Sequence, residues 1–371
     1  MGLQEEIDAK AKEIHTDAYA MSIGEIVSMY KSGELDIHPE FQRYFRWTAQ
    51  QKSRLIESIL LGIPLPSIFV SQREDGVWDV IDGLQRLSTL FEFMGEWRDE
   101  SGQVRTAPAL LATAYLPALA GKYWENEDDE GQSLTNAQRL AIKRSKLAIN
   151  IIKKESDPGT KYELFQRLNT GGTQLTPQEV RNCVLITVNR DFHIWFERLA
   201  GLSVFRDSIA TSERQDEERY DLELALRFFA CDATDEKLKQ IVDVGDFLTA
   251  RMLTFAMDDK FDQRAAEARF AGTFALLAEA LGDDAFRRYD PVKQRFLGGF
   301  SVSAFETIAV GLAASLDGWQ GLNPPDRNAR LRERIQSMWA NADWRAHSGS
   351  GIRGNLRIPY VVPWGRAHFR P

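Results

Sequence analysis

The sequence predicts an α+β fold, with a small mixed sheet and packed helices over residues 1–190 and an all-helical region over residues 191–371. Short apolar and β-branched runs bounded by turn residues, the pattern of β-strands, occur before residue 190. Beyond that residue the apolar positions recur with the period of a helix. The composition also changes near residues 190–210, and 371 residues suffice for two domains, so we place a domain boundary there.

Helix-capping signals order the first part of the chain. Ser22 followed by Glu25 is a capping box that predicts a helix ending at Gly33. Thr48 with Gln51 starts a second helix in the same way. We expect strands at residues 67–72, 77–81 and 146–153, and a helix from Asp82 to about Gly95.

Further helices follow the third strand. Asp157 opens a helix that the glycine-containing segment 169–173 breaks. A capping box at 176–179, with Pro177 at the first helical position, predicts a helix through Val188. Beyond it we expect helices at residues 222–231, 237–257, 263–281, 302–315 and 326–340.

The composition excludes several classes of protein. A net charge of −8 argues against a generally basic nucleic-acid-binding surface, although it allows a local basic groove. Two cysteines rule out a disulfide scaffold and fit a reducing, cytoplasmic location. The charged start of the chain is unlike a signal peptide, and no apolar run is long enough to predict a membrane span. None of the five histidines has partners at zinc-ligand spacing.

The most informative polar segment joins the strand ending at Ile81 to the next helix. Asp82 is expected to cap this helix, with Gln85 closing a capping box. A helix N-terminus carries N–H groups and a partial positive charge that hold anions, and Gly83 lets a ligand approach the backbone. Arg86 adds a guanidinium that can bind a phosphate or a base edge. The alternative is a plain strand–turn–helix junction with a surface arginine.

A second polar cluster lies among aromatic residues. Gln42, Arg43 and Arg46 are interleaved with aromatic side chains between residues 41 and 47. Arginine beside aromatic rings suits stacking on a base and binding phosphate. Alternatively, the rings fill the core and the arginine head groups reach out to solvent.

A third cluster follows the helix that Asp157 opens. Arg167 and Asn169 precede Gly171 and Gly172, whose exposed backbone N–H groups can form an anion nest. The side chain of Asn169 can bind an amide or a hydroxyl. The alternative here is an ordinary glycine-terminated helix.

Other chemistries have no support in the sequence. It contains no phosphate-binding loop of the Gly-x-x-x-x-Gly-Lys-Ser/Thr type and no Gly-x-Ser-x-Gly nucleophile elbow. Cys183 lies in a predicted helix and Cys231 in an apolar stripe. Both are therefore interpreted as core thiols rather than nucleophiles.

Together these motifs resemble the N-terminal domain of GmrSD-type modification-dependent restriction proteins. The resemblance covers residues 20–190 closely and the helical region more loosely. The family signature is Asp-Gly-Gln-Gln-Arg, and Leu84 stands here in place of the first glutamine. The other signature positions are matched by Asp82, Gly83, Gln85 and Arg86. Further matching segments are 41–43, 46–47, 53–58, 62–66, 81–90, 165–172, 175–176 and 178–182.

The resemblance implies a ParB/sulfiredoxin-like core, nucleotide binding and hydrolysis, and a role in DNA restriction against phage. Relatives often carry a C-terminal nuclease domain of the His-Asn-His type, but His347 and His368 lack partners at suitable spacing. If DNA is cut, the cut is then made by this domain itself or by a partner chain.

The leading hypothesis is a cytoplasmic protein of prokaryotic anti-phage defence that binds and hydrolyses an NTP and acts on or near DNA, by nicking if it is itself a nuclease. Asp82, Gln85 and Arg86 are the candidate catalytic residues. Asp82 or Asp79 is expected to hold Mg²⁺ or to orient a water. The candidate nucleotide-binding residues are Gln42, Arg43, Arg46, Gly83, Arg86, Arg167, Asn169, Gly171 and Gly172.

Two alternatives stay open. In the first, the chain is a non-catalytic sensor of nucleotide or modified DNA that signals to a partner effector through its helical half. Leu84 and the lack of a recognisable nuclease domain favour it. In the second, the chain is a structural helical scaffold, which leaves the three arginine-bearing clusters unexplained. None of the three hypotheses involves a membrane.

Overall fold

The computed structural model divides the chain into two compact units, Met1–Gln174 and Leu175–Pro371. The domain boundary expected near residue 190 stays a prediction. The residues that the structure describes are 2–5, 15–37, 47–98, 103–104, 107–154, 156, 176–349 and 351–371.

The first unit is built on a five-stranded mixed sheet, which confirms the predicted fold class. Its strands are β1 (Thr16–Ser22), β2 (Leu35–Asp36), β3 (Ile68–Gln72), β4 (Trp78–Asp82) and β5 (Lys146–Ile152). Their order across the sheet is β1-β5-β3-β4-β2. β3 pairs with β4 antiparallel and with β5 parallel, so β5 lies inside the sheet although it is the fifth strand in sequence. β1 runs antiparallel to β5, and β2 runs parallel to β4 at the opposite edge.

The two edge strands of this sheet were not predicted from the sequence pattern. Most residues of β1 are exposed, so it lacks the apolar alternation of a half-buried strand, and among the described residues no strand pairs with its outer edge. β2 is only two residues long, too short to show any period.

Four helices share one hydrophobic core with this sheet: α1 (Ile23–Ser32), α2 (Ala49–Leu60), α3 (Leu84–Phe93) and α4 (Asn136–Arg144). The capping box predicted at Thr48 is confirmed, and at Ser22 the hydroxyl accepts the expected hydrogen bond from the backbone N–H of Glu25, but the return bond from the Glu25 side chain is not formed. Ile56, Ile68 and Leu87 are fully buried between the layers. Burial of each such side chain contributes about 1.5–3 kcal/mol, which fixes α3 against β3 and β4.

The second unit is helical apart from one short hairpin. Its helices are α5 (Pro177–Val188), α6 (Arg190–Ala200), α7 (Ser203–Arg206), α8 (Glu213–Glu217), α9 (Tyr220–Ala230), α10 (Asp235–Lys239), α11 (Val244–Met257), α12 (Gln263–Leu281), α13 (Val302–Ala313), α14 (Leu316–Gln320), α15 (Pro324–Ala340), α16 (Ala342–Ser348) and α17 (Gly354–His368). The hairpin pairs β6 (Arg288–Asp290) with β7 (Arg295–Leu297). In the part of the chain that the structure describes, no helix has both the length and the apolar character of a membrane span.

The single helix predicted over 237–257 is wrong, because the structure has two helices there, α10 and α11. The side chain of Asp243 accepts a hydrogen bond from the backbone N–H of Asp246 at 3.0 Å. An acceptor at this position satisfies a backbone N–H that has no partner within the helix, so a new helix begins. The apolar period alone does not reveal this break.

A buried ionic network lies in the core of the second unit. Glu306 on α13 is fully buried and accepts hydrogen bonds from Arg227 and Arg357, each at 2.8 Å. Arg227 also binds Glu223 at 2.8 Å, and Glu223 in turn accepts from Arg181 at 2.8 Å. The network therefore connects α5, α9, α13 and α17 through charged groups.

Both cysteines are buried, as predicted for core thiols. Burial raises the pKa of the Cys231 thiol to about 12. Such a thiol is protonated at neutral pH and is a poor nucleophile, which agrees with the interpretation drawn from its apolar stripe.

Candidate functional site

The candidate site lies at the junction between β4 and α3. Asp82 is the last residue of β4, and Gly83 turns the chain with a φ of +99°, in the left-handed region. A Cβ atom at position 83 would lie 2.2 Å from Cδ1 of Ile68 on β3. Glycine is therefore required here both for its backbone dihedral and for the space it leaves.

The capping box predicted for this helix is wrong. The residue at the N-cap is Gly83, and the cap has no side-chain hydrogen bond, because the left-handed turn starts α3 one residue later than expected. Asp82 still belongs to the strand, and its carboxylate instead accepts a hydrogen bond from Nη2 of Arg86 at 2.9 Å. The side-chain oxygen of Gln85 accepts from the backbone N–H of Trp47 at 3.4 Å. α3 thus begins without a side-chain cap, and its first N–H groups point beyond the helix end.

Arg86 is held by three acceptors. Besides Asp82, it donates from Nη1 to the backbone carbonyls of Pro66 and Ser67, the second at 3.2 Å. Burial lowers the pKa of Arg86 from its ordinary value, and the Asp82 carboxylate acts in the opposite direction. The side chain of Arg86 is 11% exposed and that of Asp82 is 43% exposed. The arginine thus ties α3 to the start of β3, and the carboxylate faces solvent.

A break in strand register directly precedes the site. Phe69 pairs with Asp82, but the next residue, Val70, pairs with Val80, so that Ile81 is an extra residue in β4. β-Bulges of this kind are frequent next to active sites, because they redirect the following side chains. Here the bulge sets the direction in which Asp82 leaves the strand.

The second predicted metal ligand, Asp79, is engaged in a different contact. It is 1% exposed and pairs with Arg73, which also pairs with Asp36 on β2. Burial acts to lower the pKa of Arg73, but its hydrogen bonds to Asp79 and Asp36 outweigh that effect and raise it. This engagement favours Asp82 over Asp79 as the group that meets a metal or a water. The described residues include no group of three His, Cys, Asp or Glu side chains that could hold a metal.

Seven of the predicted site residues lie outside the residues that the structure describes: Gln42, Arg43, Arg46, Arg167, Asn169, Gly171 and Gly172. Their convergence with Arg86 stays a prediction. Of the predicted residues that are described, Asp82 and Arg86 are in direct contact, and Gly83 and Gln85 lie in the same turn.

Two parts of the site were not found from the sequence. Arg73 is a single arginine beside a turn, and nothing in its neighbours reveals that it bridges two carboxylates. The carbonyls that bind Arg86 are backbone atoms, which leave no residue signature. The one available signal is the pair of prolines at 64 and 66, which favour an extended chain just before β3.

Comparison with known families finds a match over residues 23–186, to the model described as "GmrSD restriction endonuclease, N-terminal domain". The matched region includes α1 to α4, the strands β2 to β5 and most of α5. It therefore contains the whole β4–α3 junction. A comparison with curated proteins finds no match.

Proposed function

We propose that this protein, whose residues 23–186 belong to the N-terminal domain family of GmrSD restriction endonucleases, binds an NTP at the β4–α3 junction and hydrolyses it there. The family is of the restriction type, so the setting is anti-phage defence and the target is DNA. The nucleotide is the group that the β4–α3 junction would bind. A DNA cut would be made by this chain or by a partner nuclease.

The observation that carries this proposal is the Asp82–Arg86 pair at the start of a helix without a side-chain cap. Backbone N–H groups and the positive end of the helix bind phosphate oxygens, and the guanidinium adds a charged donor beside them. The carboxylate is the more exposed partner, so it is the group able to meet a water or a metal. The pair thus brings an anion-binding element and a basic oxygen together.

The position of β2, which ends just before residues 38–46, supports a single nucleotide site that includes residues from this segment and from the β4–α3 junction. β2 ends at Asp36, which lies beside Asp79 on β4 and shares Arg73 with it. Because β2 runs parallel to β4, the chain leaves β2 in the direction of Asp82.

Trp47, which directly follows residues 38–46, supports the same nucleotide site at the β4–α3 junction. Trp47 donates its backbone N–H to Gln85, in the first turn of α3. Both flanks are thus fixed on β4 or α3, and this supports our proposal that the nucleotide is also bound by Gln42, Arg43 and Arg46. In the same proposal the pocket is closed by Arg167, Asn169, Gly171 and Gly172.

In the proposed reaction, water attacks the γ-phosphorus and the bond to the bridging oxygen breaks, which gives a nucleoside diphosphate and inorganic phosphate. Asp82 orients the water and accepts its proton, while Arg86 and the start of α3 bind the phosphate oxygens. Mg²⁺ carried by the nucleotide would neutralise phosphate charge. One protein carboxylate suits it, because Mg²⁺ keeps several water and phosphate ligands.

The proposal is tested by incubating the purified protein with each NTP and Mg²⁺, with and without DNA, while phosphate release and strand nicking are followed. We expect phosphate release with at least one nucleotide. If titration calorimetry shows that wild type binds none of the nucleotides, the proposal is overturned and the scaffold hypothesis is left.

Arg86→Ala is expected to weaken nucleotide binding by about 1.5–3 kcal/mol, because a charge-assisted hydrogen bond to phosphate is lost. Arg86→Lys should restore only part of the affinity, since a point charge does not reproduce the planar fork of a guanidinium. Calorimetric titration of both variants measures the effect.

The matched control is Arg144→Ala, which removes an exposed arginine from α4 of the same unit. It should leave the affinity unchanged. Thermal unfolding of Arg86→Ala shows whether the lost bonds to Pro66 and Ser67 also lower stability. Equal affinities of wild type and a folded Arg86→Ala variant would show that Arg86 only clamps the strand.

Asp82→Asn is expected to abolish turnover and to leave nucleotide binding largely intact, because the amide keeps the shape of the side chain but cannot accept the proton of the water. Phosphate release and titration calorimetry separate the two effects. Turnover by the Asn variant at the wild-type rate would remove Asp82 from the chemistry.

The sensor alternative is favoured by Leu84, which is half-buried and packs against the core of the first unit where the family signature has glutamine. If it is correct, wild type binds nucleotide without turnover. Leu84→Gln is then the decisive variant. A gain of hydrolysis would show that this chain lost its activity through position 84, and an active wild type would exclude the sensor.

A further inference from the structure

The hairpin of the second unit has a tightly defined, protruding tip. β6 and β7 are joined by residues 291–294, all of which are exposed, and Val292 at the tip is 91% exposed. The side chain of Asp290 accepts hydrogen bonds from the backbone N–H groups of Val292 and Lys293 at 2.9 and 3.0 Å. Gln294 takes a positive φ of 50° to complete the turn. The exposed tip is thus a hydrogen-bonded turn.

The two faces of the hairpin differ in chemistry. Tyr289 and Phe296 pair across the strands with ring centroids 5.1 Å apart, and Phe296 packs against the hydrophobic core of the unit. Because side chains alternate along a strand, Arg288 and Arg295 belong to the opposite face, and both are exposed. One face therefore docks the hairpin, and the other carries the two exposed arginines together with the half-buried Asp290 and Leu297.

The outer surface of the hairpin keeps a net positive charge, although Asp290 lies opposite Arg295 and interacts electrostatically with Arg288 and Lys293. Residues 288–297 contain three basic side chains and one acidic one, whereas the whole chain has a net charge of −8. The preceding Arg287 pairs with Asp283 and Asp284 at 3.0 and 3.6 Å. No described carboxylate forms an ion pair with the three basic residues of the hairpin, Arg288, Lys293 and Arg295.

We infer that this hairpin binds duplex DNA, with Arg288, Lys293 and Arg295 on the phosphates and Val292 at the floor of the groove. A two-stranded β-ribbon fits the major groove of B-form DNA, and phosphate contacts from basic side chains supply most of the affinity. A local positive surface on an acidic chain attracts a polyanion. The inference rests on the proposed action on DNA, and it is independent of nucleotide hydrolysis.

The test compares DNA binding by wild type and by the triple variant Arg288→Ala, Lys293→Ala, Arg295→Ala. Fluorescence anisotropy with a duplex of about two helical turns is measured at several salt concentrations. Affinity should fall about 10-fold or more, and the slope of log K against log salt should decrease by about 3, because three phosphate contacts are lost. Thermal unfolding verifies that the triple variant is folded.

The matched control is Lys237→Ala, Lys239→Ala, Lys260→Ala, which removes the same charge from exposed positions of the same unit. It should bind like wild type. Equal losses in both triple variants, or no loss in the hairpin variant, would overturn the inference while leaving an action on DNA intact. Preference of wild type for single-stranded DNA or for RNA would overturn it too. Phosphate release without any DNA binding would reject the DNA contact but keep the nucleotide site.

Discussion

Gly83→Ala is expected to destabilise the first unit by about 2–5 kcal/mol. An alanine pays about 1–2 kcal/mol for the left-handed conformation, and forcing a methyl group against a packed side chain adds about 1–3 kcal/mol. The added Cβ would lie 2.2 Å from Cδ1 of Ile68, which is fully buried, so core side chains would have to shift to make room. The shift of the unfolding midpoint in denaturant measures the loss.

Gly95→Ala provides the matched control for backbone strain alone. Its φ is +71°, and a Cβ there would meet nothing within 4 Å, so a cost of only about 1–2 kcal/mol is expected. Ile68→Val removes the clashing Cδ1 atom, so it should restore part of the stability that Gly83→Ala loses. In a double-mutant cycle this appears as a favourable interaction energy between the two substitutions. Equal losses at positions 83 and 95 would contradict the steric part of the argument.

Glu306→Gln is expected to cost about 3–5 kcal/mol, because it leaves Arg227 and Arg357 buried with one carboxylate fewer. Glu306 is fully buried and binds both guanidinium groups at 2.8 Å. The amide can accept from one arginine but cannot balance its charge. Equilibrium unfolding followed by tryptophan fluorescence measures the change, since the second unit contains most of the tryptophans of the chain.

Glu267→Gln is the exposed counterpart of this change. Glu267 pairs with Arg198 at 2.7 Å, and the two side chains are 35% and 65% exposed. An exposed pair of this kind contributes about 0–1 kcal/mol, because water and salt screen it. If both variants lose the same stability, burial is not what makes the network around Glu306 important.

Local capping signals predicted the helices at whose start they were recognised, but the capping boxes at Thr135 and Ser212 were missed. The boxes at Thr48 and Thr176 need only residues three positions apart, and both occur as predicted. β1 could not be predicted in this way, because its partner β5 lies more than a hundred residues away and, within the described ranges, no strand pairs with its outer side. Tertiary pairing, which the local pattern does not encode, defines that strand.

In the candidate site, too, local features could be predicted from the sequence and tertiary contacts could not. The chemistry of the segment 82–86 was visible in the sequence, but the contact between its two charged residues joins the end of β4 to the first turn of α3 and therefore depends on the turn at Gly83. The role of Asp82 was misjudged, since the left-handed φ of Gly83 moves the helix start. The hydrogen bonds that hold Arg86 are accepted by the backbone carbonyls of Pro66 and Ser67, about twenty residues earlier in the chain, and only the folded sheet brings these groups together.

The position of β5 between β1 and β3 has a consequence for the order in which the molecule can be assembled on the ribosome. β3 leaves the ribosome about 80 residues before the end of β5, the strand that covers its second edge. At a synthesis rate of about 5–20 residues per second, that edge waits roughly 4–16 s with unpaired backbone groups. During this time the nascent chain exposes an apolar strand edge to other chains, which is a hazard for aggregation. The interval shortens when translation of residues 73–145 is fast, so codon usage in that stretch bears directly on the yield of folded protein.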